Sequence, residues 1–375
     1  MQKSNVILPS QTIGIIGGGQ LGRMMAIAAK YMGYQVVVLD PTPNCPTAQV
    51  ADQQITAAYA DLEAIKALTA ESDVVTYEFE NVDLEAAALI EAEGKLPQGA
   101  EPLAVTQNRE KEKQLMKRLG LPVSPFVIVH NGSECREALN DISFPSVIKT
   151  CRGGYDGKGQ LKLAGPEDRE AAIAFAEANG HCIIESWVTF DKEVSVVFTR
   201  SQTGDIQFFP LAENEHRDHI LHQTTAPASV SKRVEEKIQA CAKQIGDALN
   251  IVGTFTIELF VSGEDIYVNE MAPRPHNSGH YTIEACNISQ FGQHIRAICG
   301  LPLMDIKLLQ PAIMLNILGD TLETAKKVLA DHTFGHVHLY GKEEAKPKRK
   351  MGHVTFVANT IDEIKQQQDI LKEDI

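Results

Sequence analysis

The stretch TFTIELFVSGEDIYVNEM, from Thr254 to Met271, carries two carboxylates inside apolar β-strand patterns. Its centre, Ser262-Gly263-Glu264-Asp265, is typical of a tight turn, so the stretch predicts an antiparallel hairpin. With a turn of about three or four residues, Glu258 falls opposite Asn269 or Glu270. Antiparallel strands flanked by helices predict an α+β domain in the middle of the chain.

The two hairpin carboxylates, Glu258 and Glu270, predict a metal site. Carboxylates that lie this close repel each other, and a cation between them relieves the repulsion. Mg²⁺ takes one or two carboxylates together with nucleotide phosphates as ligands, and Mn²⁺ is the alternative ion. Two exposed acids on a sheet face are the other interpretation, but the apolar residues around both glutamates favour the metal site.

The segment directly after the hairpin is APRPHNSGH, from Ala272 to His280. Its prolines restrict the backbone, and Gly279 allows it to bend. Loops this rich in Arg, His, Asn and Ser usually carry chemistry rather than packing. We interpret Arg274 as a group that holds a developing oxyanion and His276 as one that moves a proton.

Upstream of the hairpin, Lys149 ends an apolar strand and the loop Gly153–Gln160, GGYDGKGQ, follows it. Glycines free backbone N–H groups to face phosphate oxygens, so the pair predicts a phosphate site. A solvated strand end with a plain hairpin loop is the alternative. The loop lacks the G-K-[ST] ending of a Walker A motif. Further on, the strand end Glu185–Val188 has backbone groups that could meet an adenine edge.

The N-terminal segment Gly17–Gly22 matches G-x-G-x-x-G between a strand and a helix, with Asp40 at the end of the next strand. Read alone, it favours a nicotinamide or flavin oxidoreductase, or close strand–helix packing without a ligand. The oxidoreductase interpretation leaves Lys149, Glu258 and Glu270 unexplained. The alternation of strand and helix signals over the first hundred residues predicts a parallel sheet; the segments are Thr12–Ile16, Leu21–Met32, Gln35–Leu39 and Asp73–Tyr77.

The tail carries a basic loop, Lys342 to Lys350, between the predicted strands His336–Tyr340 and His353–Ala358. A solvated loop is the ordinary outcome for such a charge run. Its position between strands favours phosphate binding instead. We place domain boundaries near residues 107 and 302, which gives domains of 1–107, 108–302 and 303–375.

The composition limits the classes of partner. A net charge of −14 argues against a general nucleic-acid surface, although a local phosphate site remains compatible with it. Seven scattered cysteines without C-x-x-C predict neither a disulfide framework nor a structural zinc site, and fit a reducing cytoplasm. We find no apolar run that predicts a signal peptide or a membrane span.

These motifs together resemble the ATP-grasp superfamily, and within it the 5-(carboxyamino)imidazole ribonucleotide synthetases. The resemblance extends over nearly the whole chain. It rests on GGGQLGRM at Gly17–Met24, TYEFENV at Thr76–Val82, GGYDGKGQ at Gly153–Gln160, NEMAPRPHNSGHYT at Asn269–Thr282, HLYGK at His338–Lys342 and RKMGH at Arg349–His353. It implies an α/β and α+β protein: a Rossmann-like N-terminal domain, a central ATP-grasp domain and a small β-rich C-terminal domain. It also implies a homodimer.

The resemblance assigns site residues one by one. Those implied for ATP are Arg109, Lys149, Gly154, Tyr155, Asp156, Gly157, Lys158, Gly159, Gln160, Glu185, Ser186, Trp187, Val188, Glu193, His216, Asn269 and Glu270. Those implied for the ribonucleotide and bicarbonate are Gln20, Leu21, Glu78, Tyr155, Arg274, His276, Lys342 and Arg349. We take Arg274, His276, Tyr155 and Lys158 as catalytic, and Glu258 and Glu270 as the magnesium ligands.

The implied reaction is the ATP- and bicarbonate-dependent carboxylation of the amino group of 5-aminoimidazole ribonucleotide, in purine biosynthesis. Phosphorylation of bicarbonate gives carboxyphosphate, which releases CO₂ to the amine. No covalent enzyme intermediate is needed, so positioning and charge neutralisation carry the catalysis. Alternatives within the superfamily are a formate-dependent phosphoribosylglycinamide formyltransferase and a biotin-type carboxylase. The segment APRPHNSGHYT and the C-terminal RKMGH favour the first reaction.

Overall fold

The computed structural model describes residues 6–153 and 159–373. Its N-terminal part alternates strands and helices as the sequence predicts. The four strands form a parallel sheet in the order β3-β2-β1-β4, which confirms the Rossmann-like pattern. The elements are β1 Thr12–Ile16, α1 Gln20–Tyr31, β2 Gln35–Leu39, β3 Gln53–Ile55, α2 Leu62–Glu71, β4 Val74–Tyr77, α3 Leu84–Ala92 and α4 Ala100–Thr106.

The middle of the chain builds a small four-stranded sheet and most of a large one. The small sheet has the order β5-β8-β6-β7, and every described pairing in it is antiparallel. The elements are α5 Arg109–Arg118, β5 Phe126–Val129, α6 Gly132–Ala138, β6 Ser146–Thr150, β7 Gln160–Leu163, α7 Arg169–Asn179, β8 Cys182–Ser186, β9 Lys192–Arg200, β10 Ile206–Phe208, β11 Ala212–Arg217, β12 Ile220–Ala226, α8 Lys232–Ala248, β13 Gly253–Ser262, β14 Asp265–Ala272, α9 Thr282–Ala285 and α10 Gln290–Ile298.

The C-terminal strands extend the large sheet instead of forming a separate one. Strand β15 pairs with β12, from Gln223↔Leu315 to Ala226↔Ala312. The resulting order is β14-β13-β9-β11-β12-β15-β17-β16, with β10 attached to β9. The elements are β15 Ala312–Leu318, α11 Leu322–Asp331, β16 His336–Leu339, β17 Lys350–Val357 and α12 Ile361–Glu373.

The hairpin at the start of the large sheet has the predicted turn. Ser262 pairs with Asp265, and Glu258 pairs with Glu270. The next pair is Leu259 with Val268, so Asn269 is one extra residue on β14 and the ladder contains a bulge there. Helix α8 covers the sheet with its periodic apolar face, and the oxygen of Ser231 caps its first turn.

Some predicted elements differ from the observed ones. From sequence we expect a strand over Asp205–Leu211; the observed strand is only β10, because Pro210 has no N–H with which to continue it. Lys350, predicted inside the basic loop, opens β17 instead. The boundaries at residues 107 and 302 stay predictions. Within the described residues, no helix combines the length and apolarity that a membrane crossing requires.

Candidate active site

A cavity of about 900 Å³ lies between the small sheet and the large sheet. Residues from both sheets line it, and so do α5 and the segment after the hairpin. Fourteen of the predicted site residues are in this lining: Arg109, Lys149, Gln160, Glu185, Ser186, Trp187, Val188, Glu193, His216, Glu258, Asn269, Glu270, Arg274 and His276. The fold therefore brings residues distant in sequence to one site.

The two predicted metal ligands face each other across the hairpin. Direct pairing of Glu258 with Glu270 places both carboxylates on the same face of the sheet. Burial and the charge of Glu270 raise the pKa of Glu258 to about 7, although His216 opposes the shift. A divalent cation between them would remove this repulsion, so the pair fits Mg²⁺.

Two cations predicted to bind ATP, Lys149 and Arg109, lie against carboxylates; we call this part of the cavity the predicted nucleotide end. Lys149 Nζ lies 2.6 Å from Glu185 Oε2, and Arg109 lies 3.3 Å from Glu270 Oε2. The other oxygen of Glu185 lies 2.7 Å from Lys113 Nζ. Burial alone would raise the pKa of Glu185, but Lys113 and Lys149 hold it far below its ordinary value. Glu185 is thus a buried anion that orients Lys149.

Aromatic rings and one further ion pair line the cavity, on the segment that follows β8 and on strands β9, β11 and β13. Phe190 and Phe260 stack with ring centroids 4.5 Å apart, and Lys162 Nζ lies 4.3 Å from the centroid of Trp187. His216 Nδ1 lies 2.6 Å from Glu193 Oε2. Flat apolar surfaces beside hydrogen-bonding groups suit a purine ring with its ribose.

Arg274 and His276 lie on the segment after the hairpin, as predicted, and both are largely buried. Arg274 Nε donates to Glu80 Oε2 at 2.6 Å. His276 Nδ1 lies 2.9 Å from Ser278 Oγ, and its Nε2 lies 3.5 Å from Glu258 Oε1. Burial and the charge of Arg274 lower the pKa of His276 well below its ordinary value. A neutral imidazole can accept a proton, which suits the predicted role.

In the N-terminal glycine loop, the backbone N–H groups that would bind a dinucleotide already donate to carboxylates of the protein. The N–H of Gly18 donates to Asp40 Oδ2 at 2.7 Å, and that of Gly22 donates to Glu78 Oε2 at 2.7 Å. The N–H of Gly19 also donates to Glu78. These carboxylates occupy the start of α1, where a pyrophosphate would bind. The geometry therefore disfavours the oxidoreductase interpretation.

Five predicted substrate residues lie outside the lining of the cavity: Gln20, Leu21, Glu78, Lys342 and Arg349. One of them, Lys342, contacts a residue of the lining directly. Lys342 Nζ donates to the carbonyl of Lys350 at 2.8 Å, and Lys350 lines the cavity. Gln49 Nε2 of the N-terminal domain donates to the carbonyl of Gly341 at 2.9 Å, which places that domain beside the basic loop.

The glycine-rich loop is described only at its ends. The predicted residues Gly154, Tyr155, Asp156, Gly157 and Lys158 lie outside the described residues. Gly159 accepts a hydrogen bond from the N–H of Thr150 at 2.9 Å. Gln160 begins β7 and pairs with Lys149.

Sequence reasoning missed several charged residues of the cavity lining, among them Glu80, Glu112 and Lys113. A signal for the last two was present. Leu115 and Met116 follow three residues later on the same helical face, and that face is apolar and buried. Charges on an apolar helical face indicate buried partners.

Comparison with known proteins assigns a class to each part of the chain. Residues 10–107 match the ribonucleotide synthetase preATP-grasp domain. Residues 114–291 match the ATP-grasp domain, and residues 312–367 match the phosphoribosylaminoimidazole carboxylase C-terminal domain. A nucleotide-sized cavity between two sheets, lined by lysines, arginines and paired carboxylates, agrees with this class. The protein is an ATP-grasp ligase.

Individual relatives narrow the class. The chain is 48% identical to the N5-carboxyaminoimidazole ribonucleotide synthase of Bacillus subtilis, over 96% of this chain and 94% of that one. An ADP complex of an N5-carboxyaminoimidazole ribonucleotide synthetase is 51% identical, with a TM-score of 0.95 and 99% and 98% of the two chains covered. An Aspergillus clavatus synthase in complex with ADP and 5-aminoimidazole ribonucleotide is 32% identical, with a TM-score of 0.90 and 97% and 98% covered. The chain belongs to the N5-carboxyaminoimidazole ribonucleotide synthase family.

Proposed function

We propose that this enzyme uses ATP and bicarbonate to carboxylate the amino group of 5-aminoimidazole ribonucleotide, giving N5-carboxyaminoimidazole ribonucleotide for purine biosynthesis. The observation that carries the proposal is the match, over nearly the full length of both chains, to a synthase that binds ADP and this ribonucleotide. The cavity between the two sheets supports it, because it holds cations for phosphates and a neutral base.

The chemistry needs two transfers. A bicarbonate oxygen attacks the γ-phosphorus of ATP, the bond to ADP breaks, and carboxyphosphate forms. Carboxyphosphate then separates into CO₂ and phosphate, and the substrate amine attacks CO₂ and loses a proton. In this proposal Arg274 holds the negative oxygens of bicarbonate, and His276 Nε2 accepts the proton. Tyr155 and Lys158 keep their predicted catalytic roles.

The remaining predicted roles divide between residues that line the cavity and the neighbouring residues outside its lining. Lys149 and Arg109 hold ATP phosphates, and the pair Glu193–His216 faces the ribose. Glu258 and Glu270 would hold Mg²⁺, which screens phosphate charge when it is bound. Lys342 and Arg349 hold the 5′-phosphate of the ribonucleotide, with Gln20, Leu21 and Glu78 beside it. A homodimer and a cytoplasmic location belong to the same proposal, and light scattering would test the dimer.

The test is phosphate release from ATP by the purified protein. Release should require Mg²⁺ and bicarbonate and rise strongly when 5-aminoimidazole ribonucleotide is added. A product that takes up ¹⁴C from labelled bicarbonate and releases it as ¹⁴CO₂ on acidification would identify the carbamate. If formate and glycinamide ribonucleotide were required instead, the formyltransferase alternative would replace this proposal.

A further inference from the structure

Two charged side chains on the buried face of α5 have no role in the proposed function. Glu112 is 2% exposed and Lys113 is 3% exposed. Charged groups are seldom buried to this extent without specific partners, because their desolvation is costly. Their partners therefore show what the helix holds in place.

The ammonium of Lys113 contacts both sheets at once. Its Nζ lies 2.7 Å from Glu185 Oε1 in β8 of the small sheet. It also donates to the carbonyls of Asn269 at 3.1 Å and Val268 at 3.3 Å, in β14 of the large sheet. An ammonium has about three N–H donors, so these acceptors use all of them.

The bulge explains why one ammonium reaches two consecutive carbonyls. Along a regular strand, successive carbonyls point to opposite edges, and a bulge breaks this alternation. Asn269 is the bulged residue, and β14 is the last strand of the large sheet. Helix α5 and Pro122 cover that edge in place of a further strand: Glu112 Oε1 accepts the N–H of Met271 at 2.8 Å, and the carbonyl of Pro122 accepts the N–H of Val268 at 2.8 Å.

The contacts of Glu112 and Lys113 enclose Glu270, one of the two predicted magnesium ligands. Lys113 binds the backbone just before Glu270, and Glu112 binds the backbone just after it. On its other side, Lys113 connects through Glu185 to Lys149, the predicted phosphate ligand. One continuous set of contacts thus links Lys149 of the small sheet to the backbone on both sides of Glu270 in the large sheet.

We propose that Lys113 is a positioning residue that sets the separation between Lys149 and Glu270, with Glu112 holding the far side of the bulge. The roles of Lys149 and Glu270 rest on the proposed function. Without the ammonium, Glu185 keeps Lys149 as its only cation and draws it away from the phosphates. The bulge also loses the donor that fixes its two carbonyls.

Binding of Mg·ADP tests this directly, because Trp187, the single tryptophan, lines the cavity and its fluorescence reports the titration. Lys113→Met should raise the Kd for Mg·ADP by about 30-fold, within the range for groups that orient a ligand-binding side chain. The matched control Lys111→Met removes an exposed lysine of the same helix and should leave the Kd unchanged. The KM for the ribonucleotide should move by less than about twofold in both variants, whereas general destabilisation would raise it too.

A charge-balanced variant completes the test. Lys113→Met with Glu185→Gln removes both charges and frees Lys149, so its Kd should lie about three- to tenfold above that of the wild type, below the single Lys113→Met variant. If Lys113→Met does not fold, this double variant carries the test, and a wild-type Kd would overturn the proposal. A wild-type Kd in a folded Lys113→Met protein would overturn it as well. Because Mg·ADP binding needs no carboxylation, the result stands apart from any failure of the proposed reaction.

Discussion

The predicted nucleotide end, which lines the cavity, and the predicted ribonucleotide end, the basic loop outside that lining, hold their cations in different ways. At the nucleotide end, Lys149, Arg109 and His216 each lie against a carboxylate, at 2.6, 3.3 and 2.6 Å. At the ribonucleotide end, Lys342 donates to the carbonyl of Lys350 and Arg349 to that of Glu344, at 2.8 and 2.9 Å. Neither of these two cations has a carboxylate within ion-pair distance among the described residues.

This difference indicates how each end binds its ligand. A cation paired with a carboxylate keeps its position without a ligand, but its charge is partly neutralised. A cation that bonds only to carbonyls is oriented while most of its charge stays available to an incoming anion. On the proposed assignments, the nucleotide end is preorganised in geometry, and the ribonucleotide end depends on the substrate phosphate for its countercharge.

The largest effect should come from the two predicted magnesium ligands, Glu258 and Glu270. Glu258→Gln and Glu270→Gln should each lower kcat by more than about 100-fold, because each removes a negative ligand of the cation that screens the ATP phosphates. Steady-state phosphate release at increasing Mg²⁺ measures the effect. Asp265→Asn, at the exposed turn of the same hairpin, is the control and should retain activity. Normal turnover of both glutamine variants at saturating Mg²⁺ would show that this pair holds no essential metal.

The next effect separates the two ends. Arg349→Ala should raise the KM for the ribonucleotide by at least about tenfold, a loss of about 1.4 kcal/mol, because a phosphate ligand is removed. The KM for ATP should stay constant. Lys346→Ala, which removes a charge whose ammonium already pairs with Glu344, is the matched control. An equal rise in both KM values would point to misfolding, and an unchanged ribonucleotide KM would leave Arg349 as a solvated side chain.

The pH dependence of the KM for the ribonucleotide should test the role of Lys342. Burial and the charge of Arg349 lower the pKa of Lys342 to about 8, so in the free enzyme its ammonium loses its proton as the pH rises through that value. Phosphate binding then weakens, and the KM for the ribonucleotide should rise by up to about tenfold per pH unit above the pKa. Lys342→Arg should remove this rise, since arginine stays charged. A ribonucleotide KM that is flat to pH 9.5 would contradict the assignment of Lys342.

The smallest effect should come from the Glu193–His216 pair. Burial lowers the pKa of His216, but the hydrogen bond and charge of Glu193 outweigh it and leave the pKa raised. Glu193→Gln should therefore lower the pKa of His216, measurable by NMR titration, and raise the KM for ATP by about three- to fivefold, the value of one hydrogen bond. A change in the ribonucleotide KM of the same size would mean that the two ends are not separate.

Local sequence patterns were sufficient for much of this fold. The hairpin turn, and the register of Glu258 to within one residue of Glu270, follow from strand alternation around a recognisable turn. The parallel N-terminal sheet follows from its alternating strands and helices. The bulge at Asn269 was not predictable, because the sequence allowed either Asn269 or Glu270 opposite Glu258.

The features that could not be predicted from sequence patterns depend on contacts between residues far apart along the chain. The roles of Lys113 and Glu112 depend on acceptors in β8 and β14, which lie far away along the chain. The pairing of β15 with β12 has no local signal either, since edge compatibility alone does not select a partner. The helices α11 and α12 were missed, because only strand patterns were recognised in the tail.

The pairing of β15 with β12 makes the C-terminal segment inseparable from the rest. A fragment that ends before residue 312 would leave the backbone groups of β12, at Gln223–Ala226, without their partner strand. Bare strand edges recruit strands from other molecules, so such a fragment should self-associate into aggregates. The same continuity joins β14 to β16 in one sheet, to which the small sheet contributes no strand.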